Sequence, residues 1–492
     1  MNKEKFLKLS KSCDELFNNY KNDKHILLLP SLHIVNEHPK NIQRFNNIIN
    51  ENFLTIIFNI FFSFFIYFSK SIKNIFTNKS EYFYLAKNRN NRHYRNIFVS
   101  HFVNLNEFQK KNDLYFKNMP NISSNHFKTL VVLINHTKIN FNKRNNFFSK
   151  KEYDVIILSN NLKYKDKLNI FINSKRIFLK ILLDILLVHK KNNRIIMFNA
   201  LSNIFRDNSQ FNLRFYEQIK KILTQYKPKN IFFTYEGHTW EKILCLIVKE
   251  SLINSRSIGY QHSRFFRYQC LAKKNLRNEI DPDIILTSGK ISCIELSKSI
   301  KNKEIVNIGK PCEEKFTLKL TNNHIQSKIR ICVIPEGILE ECYKLLKFSL
   351  SLAKENKNIF FIWRFHPLTN FKKLNKKINF YTLPANISVS KNSLNDDLKV
   401  SNMALYRGSS SILQAMKHGL IPIYLKIKNE IDIDIMNEKK EWHIVIENIN
   451  EFNKKINKVL LNKKIKNMQK EIVNYSKNYY SDFNEKKFKE FL

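Results

Sequence analysis

Short β-branched runs recur along the chain, and most are followed by a segment with helical spacing. HILLLP (25–30), TLVVLIN (129–135), YDVIILSN (153–160), RIIMFNA (194–200), NIFFTYEG (230–237), SIGYQHS (257–263), PDIILTSG (282–289) and IVNIG (305–309) form a first series. Helical patterns lie between them, as at 176–190 and 240–252. Continuous apolar strands alternating with helices predict parallel sheets covered on both faces. Pro311 and the polar stretch 321–327 interrupt the pattern. A second series follows: IRICVIPEG (329–337), IFFIWRFHP (359–367), ISVS (387–390), MALYRGS (403–409) and IPIYL (421–425). The expected fold class is α/β, with two parallel-sheet domains at 1–310 and 328–450 facing a cleft, then a basic C-terminal helix at 451–492.

Glycine placement sharpens this picture. The chain has seven glycines in 492 residues, and Gly237, Gly289, Gly309, Gly337 and Gly408 each fall at or just after a predicted strand end. Ligands of open parallel sheets bind at the carboxyl ends of strands. Glycine there allows positive φ and close approach of backbone to a ligand.

Composition excludes some classes. Hydrophobic residues at 43% and aromatics at 13% rule out a disordered chain. The formal charge of +42 points to nucleic acid, an anionic membrane surface or acidic substrates. Lys, Asn, Ile and Phe are all abundant, however, as an A+T-rich coding sequence produces, so charge alone does not choose among partners. No RNA-binding aromatic signature, zinc finger or helix-turn-helix pattern accompanies it, and no nucleic-acid partner is expected. The seven cysteines form no CxxC and read as reduced core residues, which with no signal peptide gives a cytoplasmic expectation. The apolar stretch 52–71 reads as a buried or membrane-surface helix rather than a crossing one. With the basic tail it leaves open a peripheral contact with an anionic inner membrane.

Candidate chemistry clusters at strand ends. In RGSSSILQAMKHG, Arg407 and Gly408 turn the chain, and Ser409, Ser410 and Ser411 open a helix. Free backbone N–H groups and hydroxyls at a helix start make a seat for phosphate. WRFHP ends a strand with Arg364, a bidentate anion ligand, with His366, a phosphate donor, and with Pro367, which stiffens the exit. In TYEGHTWEK, Glu236, Gly237 and His238 precede a helix, and a carboxylate there is a candidate general base. YQHS adds Gln261 and His262 at the neighbouring strand end. In IPEG, Glu336 and Gly337 either contact the substrates or form a plain turn. Trp240 and Trp363 read as core or cleft wall, and DPD (281–283) and DID (432–434) as turns, so no metal site is expected.

The set YEGHTWEK, IGYQHS, PDIILTSG, WRFHP and GSSSILQAMKHGLIPIYL resembles the GT-B class of glycosyltransferases. More closely it is similar to bacterial surface-carbohydrate enzymes with an HP motif and a serine motif, including capsule and lipo-oligosaccharide sialyl- and Kdo-transferases. The resemblance spans about residues 230–426; the first 230 match in pattern only. It implies two Rossmann-like domains and an inverting transferase that needs no cofactor or obligatory metal. Its substrates would be a nucleotide sugar, CMP-linked and acidic in those relatives, and a glycan or glycolipid acceptor. By position, His366 and Pro367 would contact the nucleotide and Ser409, Ser410 and Ser411 its phosphate. The relatives' acidic-acidic-glycine motif reads Tyr235-Glu236-Gly237 here, so Glu236 or a histidine, His262 or His238, must act as base. The glutamate that many GT-B enzymes set on the ribose is Gln414. Rival readings are a CDP-polyol phosphotransferase with His262 as base, and a non-catalytic glycan- or nucleic-acid-binding protein.

Overall fold

Eight strands make the first sheet: β1 (Tyr82–Leu85), β2 (Asn96–Phe102), β3 (Thr129–Asn135), β4 (Asp154–Leu158), β5 (Asn230–Thr234), β6 (Arg256–Gln261), β7 (Ile284–Thr287) and β8 (Glu304–Asn307). Their order is β1-β4-β3-β2-β5-β6-β7-β8, parallel throughout except for β1, which runs antiparallel on β4. The second sheet comprises β9 (Ile329–Ile334), β10 (Ile359–Trp363), β11 (Ile387–Val389), β12 (Met403–Tyr406), β13 (Ile421–Leu425) and β14 (Ile444–Ile446). It is wholly parallel, in the order β11-β10-β9-β12-β13-β14. This computed structural model describes residues 3–20, 22–36, 53–75, 82–85, 93–137, 151–252, 254–264, 268, 280–311, 329–366, 369, 371–436, 440–461 and 465–492.

Both orders are the doubly wound one, in which the third, second and first strands precede the fourth. The chain reverses direction between β2 and β5 in one sheet and between β9 and β12 in the other. At such a switch point the loops leaving the two central strands diverge and open a crevice at their carboxyl ends. The fold is therefore two Rossmann-like α/β units, the architecture of the GT-B class.

The strands form because helices cover both faces. β5 and β13 are buried at every position, so continuous apolar runs are what the sheet requires. Fully burying a side chain such as Phe232 or Phe233 contributes about 1.5–3 kcal/mol. The helices that matter below are α1 (Lys3–Asn19), α2 (Phe53–Ile75), α3 (Tyr164–Leu187), α4 (Lys191–Asn203), α5 (Asp207–Tyr226), α6 (Thr239–Ser251), α7 (Leu339–Glu355) and α8 (Ile412–Lys417).

Two predicted strands are helical. RIIMFNA lies inside α4, and HILLLP spans a short helix, Lys24–Leu27, and the start of a 3-10 turn, Pro30–Asn36. Both are enclosed by other helices, and an element buried all round shows no periodicity to tell helix from strand. The strands β1, β2 and β14 were not expected.

The tail, expected as one basic helix, is three: α9 (Ile449–Leu460), α10 (Ile465–Tyr479) and α11 (Glu485–Lys489). It ties the units together. Phe452, Ile456 and Tyr479 belong to the second core, whereas Phe488, Phe491 and Leu492 belong to the core beneath the first sheet. Ser481 N–H donates to Ser288, and Lys310 N–H donates to Ser481. Gly289 and Gly309 make room for this passage: a Cβ would lie 1.9 Å from the Tyr479 carbonyl oxygen and 2.1 Å from that of Asp482. These two glycines serve the tail.

Candidate active site

At the first switch point, β5 ends at Thr234 and the chain turns through Glu236 and Gly237, the glycine at φ +88°, into α6. Glu241, in the first turn of α6, shapes this turn. Its buried carboxylate accepts the backbone N–H groups of Glu236 (2.9 Å), Gly237 (2.6 Å) and His238 (2.9 Å). Burial raises the Glu241 pKa to about 7, while those backbone donors favour the ionised form. The Glu236 side chain is thereby held toward the crevice.

Glu236 is shared by three partners. One oxygen lies 3.1 Å from His238 Nε2. The other accepts the Ser263 hydroxyl and lies 3.4 Å from His262 Nε2. Burial alone would raise its pKa, but His262, His238 and Ser263 outweigh burial and hold the carboxyl well below its usual range. A carboxylate so strongly acidic is a poor proton acceptor and a good orienter of imidazole. His262 is mostly buried, and burial lowers its pKa against the opposing pull of Glu236. Its Nδ1 is enclosed and makes no hydrogen bond.

Three side chains absent from the sequence expectations complete the cluster. His101, near the end of β2, places Nδ1 2.8 Å from Nε2 of His136, and its ring meets Trp240 edge-on at 5.2 Å. Burial and then the neighbouring His136, His262 and His238 lower the His101 pKa to about 3, so it is neutral. Tyr115 packs edge-on against His262 at 4.9 Å. Together with Glu236, His238 and Trp240 they line a cavity of about 460 Å³, a volume suited to a sugar-sized ligand. Every residue lining it belongs to the first unit. Gln261 is fully buried with its amide turned to the Ser263 carbonyl, so it braces the loop after β6. Among the described residues no group of three or more metal-ligating side chains comes together.

The second switch point is built from backbone. Gly337, after β9, leaves space for His366, whose Nδ1 lies 3.0 Å from the position a Cβ would take. Gly408, after β12, has φ +78°, and a Cβ there would meet Glu336 Oε2 at 2.8 Å. Glu336, Gly337, His366 and Gly408 thus converge. Burial lowers the His366 pKa, so its ring is a neutral donor or acceptor. Ser409 is buried, Ser410 and Ser411 are half-buried, and α8 after them has only six residues, a short dipole. Pro367 lies outside the described residues.

The arginines and the glutamine are engaged within the protein. Arg407 is buried and donates to Glu341 (2.5 Å), Glu430 (2.6 Å) and the Leu425 carbonyl (3.1 Å). Arg364 holds Asp397 and the carbonyls of Asn392 and Ser393. Gln414 donates to Asn395 at 2.6 Å. In this structure all three brace loops. Trp363 is core and Trp240 is cavity wall.

A short bridge links the two ends. Arg264, two residues beyond His262, donates Nε–H to the Ile435 carbonyl at 3.2 Å. In the same segment, Ile433 Cδ1 lies 3.0 Å from the position a Gly408 Cβ would take.

No protein-family model matches the chain, and no curated protein matches it. Solved structures do. A glycosyltransferase of kitacinnamycin is 8% identical, with TM-score 0.46 over 81% of this chain and 98% of that one. The S. aureus MnaA–UDP co-structure is 10% identical, with TM-score 0.46 over 80% and 94%. The glycosyltransferase SnogD from Streptomyces nogalater is 10% identical, with TM-score 0.40 over 81% and 98%. At these values the likeness says nothing of activity, and the fold rests on the strand order above.

Proposed function

We propose that the chain is a nucleotide-sugar-dependent, inverting glycosyltransferase that moves a sugar onto a hydroxyl of a glycan or glycolipid. The observation carrying this reading is the pairing of two switch points. One encloses a histidine–glutamate cluster, and the other offers a glycine-cleared cradle with His366 and Glu336. The acceptor occupies the first cavity. His262, oriented by Glu236 through Nε2, removes the acceptor proton. The hydroxyl attacks the anomeric carbon, the bond to the nucleotide phosphate breaks, and the phosphate leaves with the electron pair. Backbone N–H groups at 408–411 and His366 receive its charge, each preorganised donor lowering the barrier by about 2.7–4 kcal/mol. The motif resemblance supports a CMP-linked acidic sugar as donor and needs no obligatory metal.

A second reading is CDP-polyol phosphotransfer, in which His262, lining the first cavity, is again the base. Incubation with CMP-sialic acid, CMP-Kdo, UDP-GlcNAc, GDP-mannose and CDP-glycerol separates the two. Transferase action releases the nucleotide of a sugar donor in the presence of a glycan acceptor, and CMP from CDP-glycerol marks the second reading. If no donor is consumed and no nucleotide raises the melting temperature, both readings fail.

A further inference from the structure

Helix α3 carries two apolar stripes where a globular helix carries one. Ile170, Ser174, Ile177, Ile181 and Ile185 face the core and are buried. On the opposite side Leu168, Ile172, Leu179, Leu183 and Leu186 are 42–71% exposed. Helix α2 repeats the arrangement. Its Ile60 and Ser63 are buried, and Phe64 and Tyr67 pack on Phe205 at 5.2 and 5.3 Å, whereas Phe58, Phe61, Phe62 and Phe65 stand 53–69% exposed. The helices meet where Tyr67 stacks on Phe171 at 6.0 Å, so the outer faces adjoin. Contiguous apolar surface of this extent marks a site of interaction.

We infer that the joined outer faces of α2 and α3 dock the protein on an anionic lipid bilayer. The charge around them selects that occupant. Helices α2 and α4 contain no carboxylate, and the two of α3 point away from the band. Asp166 is buried in an ion pair with Lys221, and Asp184 accepts the Tyr20 hydroxyl at 2.8 Å. The exposed charges of α3 and α4 include Lys165, Lys175, Arg176, Lys191 and Arg194, and the carboxylates nearest them, Asp23 and Glu15, are paired with Lys180 and Lys190. Protein interfaces deplete lysine, whereas an apolar face edged with Lys and Arg suits an anionic membrane surface. Both helices are packed on protein along one side, so they lie along the bilayer. Helix α3, with 24 residues, offers a contact line of about 36 Å.

Docking has a consequence for the cavity. Phe205, covered by α2, lies just before α5, whose Asn208, Phe211 and Asn212 line the cavity. The bilayer contact therefore sets the cavity near the headgroup plane, where a membrane-linked acceptor would be presented. This last step rests on the proposed transferase activity, but the docking does not.

Co-sedimentation of the full chain with phosphatidylcholine vesicles, with and without 30% phosphatidylglycerol, tests the surface without donor or acceptor. Anionic vesicles are expected to bind at least about tenfold more tightly than neutral ones, with affinity falling as salt rises. F61D/F65D and L183E/L186E, at exposed positions, should each weaken binding at least about tenfold without lowering the melting temperature. Leu183→Trp should show blue-shifted emission quenched by brominated lipid, and this variant decides the matter should the charged variants misfold. Absence of binding to anionic vesicles, unchanged binding by folded charged variants, or unquenched emission from Leu183→Trp would overturn the inference. So would a wild-type dimer that L183E/L186E dissolves, which would assign the face to a second copy.

Discussion

At the first switch point six side chains, His101, His136, Glu236, His238, His262 and Tyr115, share one cavity; at the second, two glycines and a turn of backbone do most of the shaping. The strand orders are alike, so the difference lies in what each loop must hold. Proton transfer needs side chains with separated pKa values, and the first end has them: a Glu236 carboxyl held well below its usual range beside His101, which burial makes neutral. Binding a phosphate needs open N–H groups at close range, which glycine supplies and a Cβ would obstruct. The residue types at the two ends match the division of labour proposed above.

His262→Ala breaks the comparison most sharply. It should reduce kcat by about 10²–10⁴-fold while leaving nucleotide affinity within about twofold, as steady-state rates and calorimetry would show. Gly408→Val acts at the other end. With φ +78° and Glu336 in the way, it should weaken nucleotide binding by about 10²-fold. The acid–base limb of its pH profile should stay unmoved.

Glu236→Gln sharpens the assignment of roles. The carboxylate raises the His262 pKa by favouring imidazolium, so its removal lowers that pKa. The acid limb of kcat/KM should move to lower pH, with a plateau about tenfold below wild type. A limb that disappears instead would make Glu236 the base. The smallest effect concerns stability. His101 titrates near its ordinary 6.5 when unfolded and about 3 when folded, so the unfolded state binds more protons between these values. Stability should fall as pH drops through that window, and His101→Gln should flatten the decline seen in melting curves.

The sequence made the second unit more legible than the first. All five of its predicted strands are strands, because runs such as IPIYL are buried on both faces and bounded by turns. In the first unit, NIFVSHF passed unnoticed because Ser100 and His101 interrupt the apolar run. Yet the buried Ser100 hydroxyl is satisfied by Asp113 at 2.9 Å, and His101 is a member of the cavity. The signal available was a histidine closing a run of Ile, Phe and Val. RIIMFNA misled for the opposite reason, since Ile195, Ile196, Met197 and Ala200 are all buried within a layer of helices. Motif spacing singled out Glu236, His262, His366 and Gly408 as candidates, but residue type alone made Arg364 an anion ligand. Which way a guanidinium turns depends on carboxylates distant in sequence, here Asp397 for Arg364, and Glu341 and Glu430 for Arg407.

In the proposed mechanism nucleotide binding and proton transfer belong to opposite sheets. Calorimetric titration of CMP, CDP, UDP and GDP into wild type, Gly408→Val and His262→Ala tests it directly. One nucleotide is expected to bind wild type and His262→Ala alike and to be lost from Gly408→Val. Binding that survives in Gly408→Val but vanishes in His262→Ala would place the nucleotide in the first cavity and contradict it.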